Sequence, residues 1–183
     1  MRYWSVILLM STVAASAASG PLNAEAAAQG DRDGRSLFLG CEFKQATRAF
    51  EKALVKEPDN AALQYWLGKS YARLAEVSSP LSAPKNARKA RRRLVQATTM
   101  DPRNEEYLQG LFEFYLDSPE WSHGGLSEAA ALLERISSID PAAEPRLRKQ
   151  LTESRKEHSG PGWWIERTVL RTSGTIGYLV PQP

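Results

Sequence analysis

The sequence predicts an all-α chain built as an array of helix pairs, and three observations carry that prediction. One step pattern, Ala-x3-Phe/Leu-x2-Ala/Ile-x4-Pro, occurs three times: Ala46-Phe50-Ala53-Pro58, Ala90-Leu94-Ala97-Pro102 and Ala129-Leu133-Ile136-Pro141. Steps of four and then three put the apolar residues on one helical face, and the proline falls where the helix must already have ended. A second pattern follows at fixed distance. Thirteen residues beyond Pro58 stands Tyr71, preceded by Leu67-Gly68, and thirteen beyond Pro102 stands Tyr115, preceded by Leu111-Phe112. Finally, 183 residues suffice for one domain with a real core but not for two comfortable ones.

In chain order, the first twenty residues read as an export signal. Arg2 gives a positive end, Val6 to Ala18 is apolar or small, and Ala15-Ser16-Ala17 fits the small-x-small pattern of a signal peptidase site. Residues 1–17 are the expected signal peptide, cleaved near Ala17, with the mature chain exported to a bacterial periplasm. A membrane anchor is the competing reading, but about 13 apolar residues fall short of the roughly 20 that span a bilayer. Loss of Arg2 would take the formal net charge from +3 to +2. That small surplus amid 25% charged residues describes a mixed-sign surface and argues against nucleic acid as a partner. Cys41 is the single cysteine and His123 and His158 are the only histidines, so one chain can form neither a disulfide framework nor a Cys/His zinc cluster. There is no Gly-rich phosphate loop, no HExxH and no Ser/His/Asp order, so no cofactor or metal is expected.

Residues 18–27 are expected to be a linker, because the Ala-rich stretch from Leu22 shows no sustained apolar period until Gly34. The repeat domain is expected over 28–158. Its first pair joins a helix carrying Gly34 and Leu37 to one carrying Ala46, Phe50 and Ala53, with Cys41 at the turn. The second pair joins Leu67-Gly68-x2-Tyr71 to Ala90-Leu94-Ala97, and the third joins Leu111 and Tyr115 to Ala129-Leu133-Ile136. Pro-x-Asn turns at Pro58 and Pro102 close the first two. Small residues such as Gly68 are expected to face the large Tyr71, Phe50 and Leu94 of neighbouring helices. Phe112 breaks that rule, so the third pair should pack less tightly. From Ala143 to about Glu157 a sparse stripe of Leu147 and Leu151 in a charged segment fits a capping helix. Residues 159–183 form a tail. Trp163-Trp164-Ile165 and Thr175 to Val180 flank a polar centre, which is compatible with a weak hairpin, with disorder or with docking along the array.

These repeats resemble the tetratricopeptide repeat (TPR) family over about residues 28–158. The resemblance runs through Gly34, Leu37, Ala46, Phe50, Ala53 and Pro58, then Leu67, Gly68, Tyr71, Ala90, Leu94, Ala97 and Pro102, then Leu111, Tyr115, Ala129, Leu133, Ile136 and Pro141. It implies a right-handed superhelical array of three helix hairpins with a C-terminal cap. The proline spacings of 44 and 39 exceed the family period of about 34. The extra residues fall between paired helices, in Glu76 to Pro84 and in Asp117 to Gly125. Pro84 can sit in the first turn of the helix that follows.

The resemblance also implies a function: a non-catalytic scaffold or adaptor of the cell envelope that binds a protein or peptide along the concave face of its first helices. Carried over by register, that face comprises Arg35 and Phe38, then Tyr65, Lys69 and Arg73, then Gln109, Glu113 and Leu116. Exposed Tyr, Phe and Arg suit a peptide groove because they combine large contact area with directional polar ends. The paired Lys/Asn clamp by which some TPR domains hold a carboxylate is not reproduced, since Asp31, Gln109 and Glu113 occupy related positions. A second feature is the run Lys85, Arg88, Lys89, Arg91, Arg92 and Arg93, which is either a solvated helix flank or a weak contact for an anionic membrane surface or an acidic protein. Two further function classes remain open: self-association through the aromatic tail, and hydrolysis by Glu120 and His123 beside Trp121, which lacks a recognisable nucleophile.

Overall fold

In the computed structural model, which describes residues 20–118 and 125–157, all regular structure is helical. The helices are α1 (Gly20–Leu39), α2 (Phe43–Lys56), α3 (Ala61–Glu76), α4 (Ala83–Met100), α5 (Glu105–Asp117), α6 (Leu126–Ile139) and α7 (Glu144–Glu157). The 3-10 turn Pro141–Ala143 precedes α7. Odd-numbered helices meet in succession, α1 with α3, α3 with α5 and α5 with α7. Each even-numbered helix packs against the odd-numbered helices before and after it.

The helix ends follow the turn chemistry of the sequence. Asn60 and Asn104 are N-caps, their side-chain oxygens accepting from the N–H of Leu63 at 3.1 Å and of Tyr107 at 3.2 Å. The Pro-x-Asn turn thus ends one helix and starts the next. Asp140 repeats the device for the 3-10 turn by accepting from Ala142 N–H at 2.9 Å. Pro84 does lie in the first turn of α4. α1 closes in a Schellman arrangement: Cys41 N–H bonds to Phe38 C=O and Glu42 N–H to Leu37 C=O. The left-handed residue in that motif is Cys41, at φ 61°, and not the neighbouring Gly40. Cys41 is exposed there.

Small does meet large between paired helices. A Cβ on Gly34 would stand 2.6 Å from the Phe50 ring, and one on Gly68 would stand 2.7 Å from Leu94 Cγ. The third pair lacks such a glycine. Phe112 is fully buried at the corresponding place, and α5 and α6 touch less extensively than the first two pairs do. One core gathers residues of α1, α2 and α3 with Ala90; a second gathers Tyr65, Leu94 and Ala97 with residues of α5, α6 and α7. Half-buried Trp66 and Phe114 border both. α7 closes the far end: Leu147 and Leu151 are buried, while Arg148, Lys149 and Glu153 face solvent. Ser154 Oγ and Arg146 Nη2 tie it to α5, donating to Leu116 C=O at 3.0 Å and to Gln109 Oε1 at 3.2 Å.

The N-terminal boundary differs from the sequence reading. α1 begins at Gly20, so residues 20–27, expected as linker, are helical. The reason is that α1 approaches α2 through small residues: Ala27 is buried, and a Cβ on Gly30 would stand 2.8 Å from Ala53 Cβ. Alanine is the best helix former and contributes little to an apolar period, so such a contact face stays hidden in the sequence. Residues 1–17, the Glu120–His123 group and the 159–183 tail lie outside the described residues. No helix among the described residues is long and apolar enough to cross a membrane.

Candidate functional site

A half-buried tryptophan of α3 lies where side chains of α1 and α3 converge. Trp66 on α3 receives Phe38 of α1 edge-on, with ring centroids 5.5 Å apart and planes at 77°. Phe38 also meets Phe43, the first residue of α2, at 5.5 Å. Two cations lie over the same indole: Arg35 Cζ is 4.6 Å and Lys69 Nζ 5.1 Å from the ring centroid. Spacings of three on both helices produce this, since Arg35 and Phe38 share a face of α1 as Trp66 and Lys69 share a face of α3. Arg73, one turn beyond Lys69, lies 5.7 Å from the Phe43 ring and pairs with Glu76 at 2.7 Å. Arg35 is held by Asp31 at 2.9 Å, whereas Lys69 has no carboxylate partner among the described residues.

Arg35, Phe38 and Lys69 therefore stand together around Trp66, a residue that the register did not select, while Arg73 lies over Phe43 beside Phe38. Its signal was present: Trp66 is the apolar residue three positions before Lys69, on the face already assigned to binding. Tyr65 corrects the expectation of an exposed groove residue. Only 2% exposed, it is packed on Tyr107 at a centroid distance of 4.8 Å. Gly110 makes this placement feasible, because a Cβ there would stand 2.5 Å from the Tyr65 ring. Burial, and then the carboxylates of Glu106 and Glu113, push the Tyr65 hydroxyl well above the usual tyrosine range.

Gln109 and Glu113 lie on α5, and neither shares a hydrogen bond or ion pair with the Trp66 group. Gln109 is engaged by Glu105 and by Arg146 of α7, which makes it part of the cap contact. Glu113 is exposed, and Leu116 is half-buried against the second core.

The basic run divides, with Arg91 half-buried between an inward and an exposed group. Lys89 and Arg93 turn inward: Lys89 Nζ donates to Tyr71 Oη at 3.0 Å, and Arg93 donates to Gln64 Oε1 at 2.9 Å. Tyr71 in turn donates to Glu51 of α2, and Gln64 donates to Pro58 C=O at 3.2 Å. These contacts fasten α4 to the turn and helices before it. Lys85, Arg88 and Arg92 remain exposed.

An indole flanked by a phenyl ring, a guanidinium and an ammonium offers stacking surface, an apolar edge and hydrogen-bond donors within one small area. Such a group can hold an extended or helical segment of another chain by its side chains. No group of three or more His, Cys, Asp or Glu among the described residues is arranged to hold a metal ion. No protein-family model matches the chain, and no curated protein matches it in sequence.

Proposed function

We propose that this chain is a non-catalytic binding scaffold of the cell envelope, exported by its N-terminal signal. Its helices form a TPR-like, right-handed array that holds a protein or peptide along the face of α1, α3 and α5. The observation that carries this reading is the Trp66 group. Arg35 and Lys69 are held against an indole that is only half-buried, beside Phe38, on the face where the repeat register sets its ligand contacts. Trp and Arg are the side chains that most often dominate binding energy at protein interfaces. Gln109 and Glu113 extend that face towards the cap.

A displayed peptide library selected against the chain tests the proposal. Selected peptides should lose at least about 2 kcal/mol of binding, roughly thirtyfold, on Trp66→Ala and on the pair Lys69→Glu with Arg73→Glu. The variants should keep the parental helical signal. Selected peptides that bind wild type and both folded variants equally would remove the groove from consideration.

A further inference from the structure

Away from the Trp66 group, α2 and α4 are strongly basic. Three cations on α2, Lys44, Arg48 and Lys52, lie within one quadrant of the helix at steps of four, opposite the buried Ala46, Phe50 and Ala53. On α4, Lys85, Arg88 and Arg92 form the equivalent stripe opposite buried Ala90, Leu94 and Ala97. All six are exposed, and none makes an ion pair among the described residues. Both helices flank one tyrosine of α3: the Tyr71 hydroxyl donates to Glu51 of α2 and accepts from Lys89 of α4. Glu51 is the only acid within these two helices, and that hydroxyl donates to it.

We infer that the α2–α4 face docks on a bilayer surface bearing anionic phospholipid headgroups. Two cation stripes on helices about 20–27 Å long that flank one tyrosine supply a broad positive area, which suits an extended layer of phosphates better than a single chain. Val55 separates a lipid surface from a soluble polyanion. It lies on the same side of α2, three residues beyond Lys52 at the end of the stripe, and is 79% exposed. An apolar side chain among unpaired cations is the composition that enters a headgroup layer, with its cations on phosphate and its apolar group below them.

Vesicle flotation of the full chain tests this, read as the ratio of binding to vesicles with about one third phosphatidylglycerol over neutral phosphatidylcholine vesicles. The ratio cancels any contribution of the apolar N-terminal segment. It should be large at low salt, fall as salt rises, and drop about fivefold for each cation removed. The set Arg48→Gln, Lys52→Gln, Arg88→Gln and Arg92→Gln should bring it close to one. Glutamine keeps helix propensity, and the pair Arg88→Gln with Arg92→Gln serves if the full set does not fold. Val55→Ser should weaken vesicle binding without changing binding to a short DNA duplex. A wild-type ratio near one, or a ratio unchanged in a folded variant, overturns the assignment. So does Val55→Ser leaving vesicle binding intact, which would make the face a general polyanion surface.

Discussion

At Gly68 the space for one methyl group decides how closely two helices approach. A Cβ there would meet Leu94 Cγ at 2.7 Å, Leu94 Cδ2 at 2.9 Å and the Leu94 backbone nitrogen at 3.1 Å. Two effects oppose each other in Gly68→Ala: alanine gains about 1 kcal/mol of intrinsic helix preference, and overpacking costs about 1–3 kcal/mol. Because one of the obstructing atoms is backbone, the side chain alone cannot relieve the clash. Gly68→Ala should therefore lower the free energy of urea unfolding by up to about 2 kcal/mol, less in a Leu94→Ala background. Greater stability would contradict the close approach. The sequence made this contact legible, since Gly68 and Leu94 occupy matching positions of one repeat. It did not reveal the burial of Tyr65, because the glycine that makes room for that ring lies in the next repeat, at position 110. Tyr65 has a pH consequence. Its raised pKa means that the folded chain keeps this proton while the unfolded chain loses it near pH 10, so stability falls as pH climbs above about 10. Below that pH the contribution is constant. Tyr65→Phe should flatten the alkaline decline of the urea midpoint, and an unchanged slope would show that Tyr65 does not contribute.

Between elements, the turns do more than reverse the chain. Asn60 and Asn104 each satisfy a free N–H at a helix start one residue after the Pro-x pair that ends the preceding helix. Replacing either by alanine should cost about 1 kcal/mol of unfolding free energy. Because the caps share no partner, the double variant should cost the sum. A single variant without measurable cost would place the satisfaction of those N–H groups elsewhere. Turns of this kind were readable because proline and asparagine act locally, within three residues. The start of α1 was not readable, because its packing face is Ala27 and Gly30 and only the position of α2 gives those small residues meaning. The division of the basic run has the same origin. Helical phase predicted which cations avoid the core, but Lys89 and Arg93 turn towards Tyr71 and Gln64 of α3, whose positions no local pattern encodes.

Across the whole molecule, contacts run from each helix to its neighbours, so a disturbance should spread by neighbourhood. Leu147 of α7 is buried in the core that also holds α5 and α6 residues. Leu147→Ala should cost about 2–4 kcal/mol locally. In hydrogen exchange, amides of α5, α6 and α7 should lose protection, while those of α1 and α2 should lose much less. Uniform loss along the chain would mean that the two cores unfold as one cooperative unit. The all-helical architecture and the order of the core residues were legible because the repeat grammar encodes both. The Trp66 group was only half legible: register selected its cations and Phe38 but passed over the indole between them. One feature at the edge of this assembly has practical value. Cys41 is the sole thiol of the chain, exposed at the turn that closes α1, and three residues from Phe38. The protein thus carries a built-in attachment point. A polarity-sensitive dye coupled at Cys41 would report occupancy of the neighbouring aromatic face optically, without a new cysteine being engineered.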